Sequence, residues 1–278
     1  MVNIYGKTDD KKSQFLKVAE IEDSLIVFPE LSFEEPQIFS GKWKKDDEEI
    51  YYIDLSEDLD IINEYIDVIA SSTDVNVVDK QNFPNLHVIF VEGKDNSIKF
   101  QRIYNKYFFK KCFLTFPDSS VCQINNNQEI ITLTGKVDAY WNNNEKRLYF
   151  ESFMIAKTIF PKINKFYREA TESDIENFSN INILQVKKVD YGSRARKKIA
   201  QMLDDDVFKD KTLEDLKEYA ERYEQGFPEV ENGKIKLENN KDIELIYDIV
   251  NQLFYTTDLT GEKRKTNSSK PIITETSR

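Results

Sequence analysis

The sequence predicts an α+β protein: a β-rich N-terminal portion, mostly antiparallel and with one helix, followed by a mainly helical C-terminal portion. Three observations lead there. Short β-branched and aromatic runs recur up to about residue 152. Beyond that point, apolar residues fall at helical spacing behind capping residues. A single clear hairpin pattern, "GKVDAYWNNNEKRLYFES", joins the two regimes around an Asn-rich turn. The expected division is 1–152 and 153–278, with a soft boundary because the hairpin runs directly into the helical part.

In chain order, "SLIVF" (24–28) and "IYYIDL" (50–55) read as strands. Ser56 then reads as an N-cap, with Glu57 and Asp58 in the favourable first turn. Ile62, Tyr65, Ile66 and Ile69 make one apolar face, which predicts a helix over 57–70. Strands follow at 75–79, 86–92, 97–104, 109–116, 129–134, 136–141 and 146–152. Pro84 and Pro117 lie just outside such runs, where proline is tolerated. Thr171-x-x-Asp174 and Thr212-x-x-Asp215 resemble capping boxes that open helices. "INILQV" (181–186) predicts a single strand, Ser193 a helix cap, and Ile246, Ile249, Val250 and Leu253 a last helix over 241–254.

With 40% hydrophobic and 32% charged residues, the composition is that of a soluble globular chain. Its 278 residues lie near the length at which one core divides into two. No run is long and apolar enough to span a bilayer, and the opening residues have no apolar core of a signal peptide. Cys112 and Cys122 have no metal-ligand spacing and make no disulfide framework, which predicts free thiols in a reducing cytoplasm. His87 is the only histidine, so Ser-His, Cys-His and Cys/His zinc chemistry would all depend on it. Its place in "LHVIFVEG" predicts a satisfied strand histidine. The eight glycines form neither a phosphate loop nor a dinucleotide fingerprint, so NTPase and dinucleotide functions fall away and no cofactor is expected.

The net charge is −11, yet cations gather in two stretches. In "YGSRARKK", Arg194, Arg196, Lys197 and Lys198 crowd a helix start, where each cation costs roughly 0.3–1 kcal/mol against the helix dipole. A bound phosphate would offset that cost, and Gly192 would let the backbone approach it. Pairing with the acidic stretch 204–218 would offset it equally well. In "GEKRKTNSSK", Lys263, Arg264, Lys265 and Lys270 lie among small polar side chains, a pattern suited to phosphate-backbone contact or to a frayed basic tail. A third group interleaves Lys99, Arg102, Lys106, Lys110 and Lys111 with Phe100, Tyr104, Tyr107, Phe108 and Phe109. It could stack on single strands or simply be core. For nuclease chemistry, Asp138 and Glu151 face each other across the hairpin and could hold a divalent metal, but Ser152 and Phe153 follow Glu151 where a Glu-x-Lys motif needs its lysine. The run Asp204–Asp206 reads as a solvated helix end.

Three stretches together resemble the Kiwa KwaB-like family of anti-phage defence proteins: "GKVDAYWNNNEKRLYFESFMIAKTIF", "FYREATESDIENF" and "IVNQLFYTTDLTGEKRKTNSSKPI". The similarity covers roughly residues 85–272. It implies a cytoplasmic DNA-binding subunit that forms a homodimer or larger homo-oligomer. It also implies recruitment to the inner face of the membrane by a KwaA-like membrane protein. The family pattern supplies no catalytic or metal-binding residues. It directs attention to the Leu259-Thr260-Gly261 turn and to Lys263, Arg264, Lys265 and Lys270 as DNA contacts, beside Arg194, Arg196, Lys197 and Lys198.

Overall fold

The computed structural model describes residues 2–9, 14–22, 28–29, 31, 33, 36–41, 49–71, 74–93, 96–104, 108–110, 113–115, 123–125, 129–187 and 190–266. The chain is α+β and divides into two compact units, Met1–Phe39 with Lys45–Ile163, and Ser40–Lys44 with Asn164–Arg278.

The first unit contains strands β1 (Val2–Thr8), β2 (Phe15–Ile21), β3 (Gln37–Ile38), β4 (Tyr51–Asp54), β5 (Leu86–Glu92), β6 (Ser97–Arg102), β7 (Phe108–Lys110), β8 (Phe113–Thr115), β9 (Gln123–Asn125), β10 (Glu129–Ile131), β11 (Ala139–Asn142) and β12 (Arg147–Phe150). Eight of them form one sheet in the order β2-β1-β5-β6-β11-β12-β4-β3, antiparallel except at the β3–β4 edge. Ladders β7–β10 and β8–β9 lie outside it. Alternation along β5 sends Phe90 to one face and Ile89 and Val91 to the other. Ile89 and Val91 join Ile4, Phe28 and Ile103 in one apolar cluster. On the opposite face, α1 (Asn63–Ala70) and α2 (Phe153–Ile159) cover an aromatic knot. Tyr65 meets Phe90, Phe100 and Phe160 edge-on at 5.1–5.3 Å, a favoured quadrupole geometry, and its hydroxyl donates to the Ile159 carbonyl at 2.8 Å. Gly6 is needed on β1, because a Cβ there would lie 2.5 Å from Leu86.

The hairpin forms in the expected place, with Ala139 opposite Phe150 and Asn142 opposite Arg147. Other expectations need correction. The helix predicted over 57–70 begins as a 3-10 turn, Leu59–Ile61, and becomes α-helical only at Asn63. Ser56 caps nothing: its N–H and hydroxyl both donate to Asp54 Oδ1, an Asx turn that outcompetes the cap. Residues 75–79 supply one isolated bridge, Val77 to Lys17, and no strand. Of "SLIVF", only Phe28 lies within the described residues; Cys112 and Cys122 lie outside them.

The second unit carries α3 (Glu172–Ser179), α4 (Ser193–Asp204), α5 (Leu213–Arg222) and α6 (Asn240–Val250). Both predicted capping boxes form, at Thr171/Asp174 and Thr212/Asp215. A third, Asn239/Asp242, opens α6. Strands also run through this unit, contrary to the single strand expected. β13 (Leu184–Val186), β14 (Val230–Glu231) and β15 (Lys234–Leu237) form a three-stranded sheet, with β13 and β15 parallel. β16 (Phe254–Thr256) and β17 (Lys263–Lys265) form a terminal hairpin. Its core joins Phe178, Ile199, Met202, Leu216, Ile235, Ile246 and Phe254, among others. Leu253 is not helical. Gln252 turns left-handed at φ 53°, and the Leu253 N–H returns to the Asp248 carbonyl at 3.0 Å, which closes α6 in the manner of a Schellman stop.

Candidate nucleic-acid interface

The cations of α4 follow different fates, set by which face of the helix each occupies. Ser193 is the first helical residue and Gly192 the cap, one residue earlier than the sequence suggests. The Ser193 hydroxyl donates to Glu169 at 2.6 Å, and the Gly192 N–H donates to Asn240 Oδ1 at 3.2 Å. Arg196, 19% exposed, is a structural staple. Its guanidinium donates to the carbonyls of Tyr191 and Ala170, both at 3.0 Å, and to Glu172 at 2.7 Å. The Glu172 hydrogen bond first, and then the charges of Glu172, Asp190 and Glu169, hold its proton more firmly than usual. Each of the three guanidinium nitrogens is thus engaged inside the unit. Arg194 is 77% exposed and pairs with Glu244 at 3.2 Å. Lys197 lies over the Tyr167 ring, 4.8 Å from its centre. The carboxylates that offset the crowded helix start come from Glu169, Glu172, Asp190 and Glu244, not from the acidic stretch 204–218.

The terminal cations occupy a built hairpin, not a frayed tail. Phe254 pairs with Lys265, Tyr255 with Arg264 and Thr256 with Lys263. The connecting turn is fixed from within. Thr257 N–H donates to the Glu262 carbonyl at 3.0 Å, and Gly261 N–H to the Thr257 carbonyl at 2.8 Å. Gly261 has φ 68°, a conformation that favours glycine. Leu259 at the tip is 99% exposed. Arg264 pairs with Glu262 at 2.6 Å, and Lys263 with Glu224. Lys270 lies outside the described residues.

The two basic stretches meet at Asp248 of α6. Its carboxylate, 9% exposed, takes Lys198 at 3.3 Å on one oxygen and Lys265 at 2.6 Å on the other. Lys198 also sits 4.1 Å from the centre of the Tyr247 ring. Burial lowers its pKa, against the pull of Asp248. Two ammonium groups share one carboxylate at this junction, and Glu244 is close enough to act on Lys198 as well. The sequence showed two separated basic runs; the aspartate linking them carries no signal, because Asp248 reads as an ordinary helix residue.

The third basic and aromatic group divides. Phe100 is core, Lys99 donates to the Pro29 carbonyl at 2.7 Å, and Arg102 covers the Tyr104 ring at 4.9 Å. Lys106, Tyr107 and Lys111 lie outside the described residues. At the hairpin, Lys136 pairs with Glu151 at 2.8 Å, so a lysine does reach the carboxylate, from the other strand and not from residue 153. Asp138 accepts from the Arg102 N–H at 2.8 Å, and burial raises its pKa. Among the described residues, no group of three or more His, Cys, Asp and Glu side chains could hold a metal ion, and no helix is long and apolar enough to cross a membrane. No protein-family model, curated protein or solved structure matches the chain.

Proposed function

We propose that this chain is the DNA-binding subunit of a membrane-associated, two-component anti-phage system, holding DNA mainly through phosphates. The observation that carries the reading is the junction at Asp248, which ties the α4 cations to those of the hairpin. With it go Arg194, Lys197, Lys263 and Arg264, whose partners are the half-buried Glu244, the Tyr167 ring and the exposed Glu224 and Glu262. Such surface pairs contribute only about 0–1 kcal/mol, so a phosphate can displace the carboxylate at little cost. Small hydroxyls at Thr257 and Thr260 add short donors beside them. The resemblance to the KwaB-like family supplies the defence setting and the KwaA-like partner. An acidic chain would gain affinity by aligning several such patches in a homo-oligomer.

The test is a titration of a fluorescent duplex at increasing salt. Four phosphate contacts per protomer give a log–log slope of roughly −3 to −4, at about −0.9 per contact. Arg194→Glu with Arg264→Glu should abolish binding while leaving the fold intact. Salt-independent binding, or binding unchanged in that double variant, would refute the reading. Leu259 favours a second one: an exposed apolar tip on a fixed turn suits docking onto a protein partner. Loss of partner association with DNA binding retained in Leu259→Ser would support that adaptor role. A nuclease would instead show Mg²⁺-dependent cleavage that disappears in Asp138→Ala.

A further inference from the structure

A cavity of about 690 Å³ opens in the first unit, and its wall includes Asp9, Asn85, His87, Arg102, Tyr104 and Thr158. That volume suits a ligand of nucleotide size or smaller. Strands β5 and β6 fix the wall: Val88 pairs with Arg102, and the Ile103 N–H donates to the His87 carbonyl at 2.7 Å. On the far side, the Asp9 N–H donates to the Asn85 carbonyl at 2.9 Å.

Arg102 is the unusual member. Its guanidinium forms no direct ion pair among the described residues, although the Asp138 carboxylate that accepts its backbone N–H lies close enough to act on it. The guanidinium rests on the Tyr104 ring, which orients the plane without satisfying the donors. Its Nε is buried without a hydrogen-bond partner, and so is His87 Nδ1 on the same wall. Unsatisfied buried nitrogens are rare in folded proteins, and two on one cavity wall point to an occupant that rearranged side chains would contact. His87 is satisfied only in part: its ring has a hydrogen bond to the Lys7 backbone, and Nδ1 has none. Burial lowers the His87 pKa and favours the neutral ring.

We propose that this cavity binds a small molecule carrying an oxyanion, a phosphate monoester or a carboxylate, with Arg102 as its anchor. A planar guanidinium presents paired donors that match either group. Asp9 on the wall favours a ligand whose other end bears hydroxyl or ammonium donors, such as a sugar or an amino acid. The proposal does not depend on DNA binding.

The experiment is calorimetric titration of the full-length protein with inorganic phosphate, adenosine 5′-monophosphate and L-glutamate in turn. Saturable binding of at least one is expected, weakened about tenfold or more in Arg102→Gln, the loss of a charge-assisted pair. Arg102→Lys should weaken it less. Binding of the two phosphates alone identifies a phosphate site, and binding of glutamate alone a carboxylate site. Should Arg102→Gln fail to fold, His87→Gln supplies the same comparison. The proposal is overturned if none of the three ligands binds at millimolar concentration, or if binding persists unchanged in the Arg102 and His87 variants.

Discussion

Asp248→Asn tests the junction directly. The substitution keeps the side chain's shape and removes its charge, leaving Lys198 and Lys265 without a counter-ion. Lys198 is 14% exposed, so its loss resembles breaking a buried pair, about 3 kcal/mol. Lys265 is 44% exposed and contributes less than about 1 kcal/mol. Together they predict a destabilisation of roughly 3–4 kcal/mol, and a fall of roughly 10 °C or more in the melting temperature of the second unit. Scanning calorimetry of the full chain measures this. Adding Lys198→Met should restore most of the loss, because removing both members of a buried pair is far milder than orphaning one. A shift of less than about 2 °C would show that Asp248 does not hold the two stretches together. Absence of rescue by Lys198→Met would show that the cost lies elsewhere.

Other outcomes follow from neighbouring geometry. Arg196→Ala should cost about 2–3 kcal/mol, because buried carbonyls lose their charged donor, whereas Arg264→Ala should stay within about 0.5 kcal/mol; urea unfolding separates the two. The Arg168 guanidinium, hydrogen-bonded to Asp174, holds that carboxyl at about 2, below its ordinary 3.8. The stability it supplies is present above the ordinary value and is lost as pH falls towards 2, so Asp174→Asn should flatten acid unfolding in that window. Gly261→Ala meets no clash but must adopt a left-handed backbone at roughly 1–2 kcal/mol, which should raise amide exchange in the hairpin turn without moving the main melting transition.

Much of the fold was legible where local chemistry decides it. The Thr171 and Thr212 boxes, the β11–β12 hairpin and the apolar face around Tyr65 all depend on contacts within a few residues, and they formed as the sequence suggests. The failures were contests between local options. Ser56 had a helix to cap but found Asp54 closer, and Leu253 continued a helical period that a left-handed Gln252 ended. The partners of the predicted strand at 181–186, β14 and β15, and the terminal hairpin were missed because their strands are short and partly charged, so period-two alternation has too few positions to register. At the basic stretches, residue type was legible and role was not. Arg194 and Arg196 look alike in sequence, and only the helix face decides that one reaches solvent while the other is spent on buried carbonyls.

The ladder of the terminal hairpin bears on how its three consecutive cations can be used. Neighbouring positions on a strand point to opposite sides of a ribbon. Lys263 and Lys265 therefore share one side with Thr256 and Phe254, while Arg264 shares the other with Tyr255. What reads as a triplet of charge is a coin with two faces. One carries two lysines whose Cα atoms lie about 7 Å apart along the strand. The other carries a guanidinium beside a phenol, a pairing that could grip a planar base. The first side turns partly into the unit, where Phe254 is buried and Lys265 holds Asp248, so the side of Tyr255 and Arg264 is the one more open to a ligand.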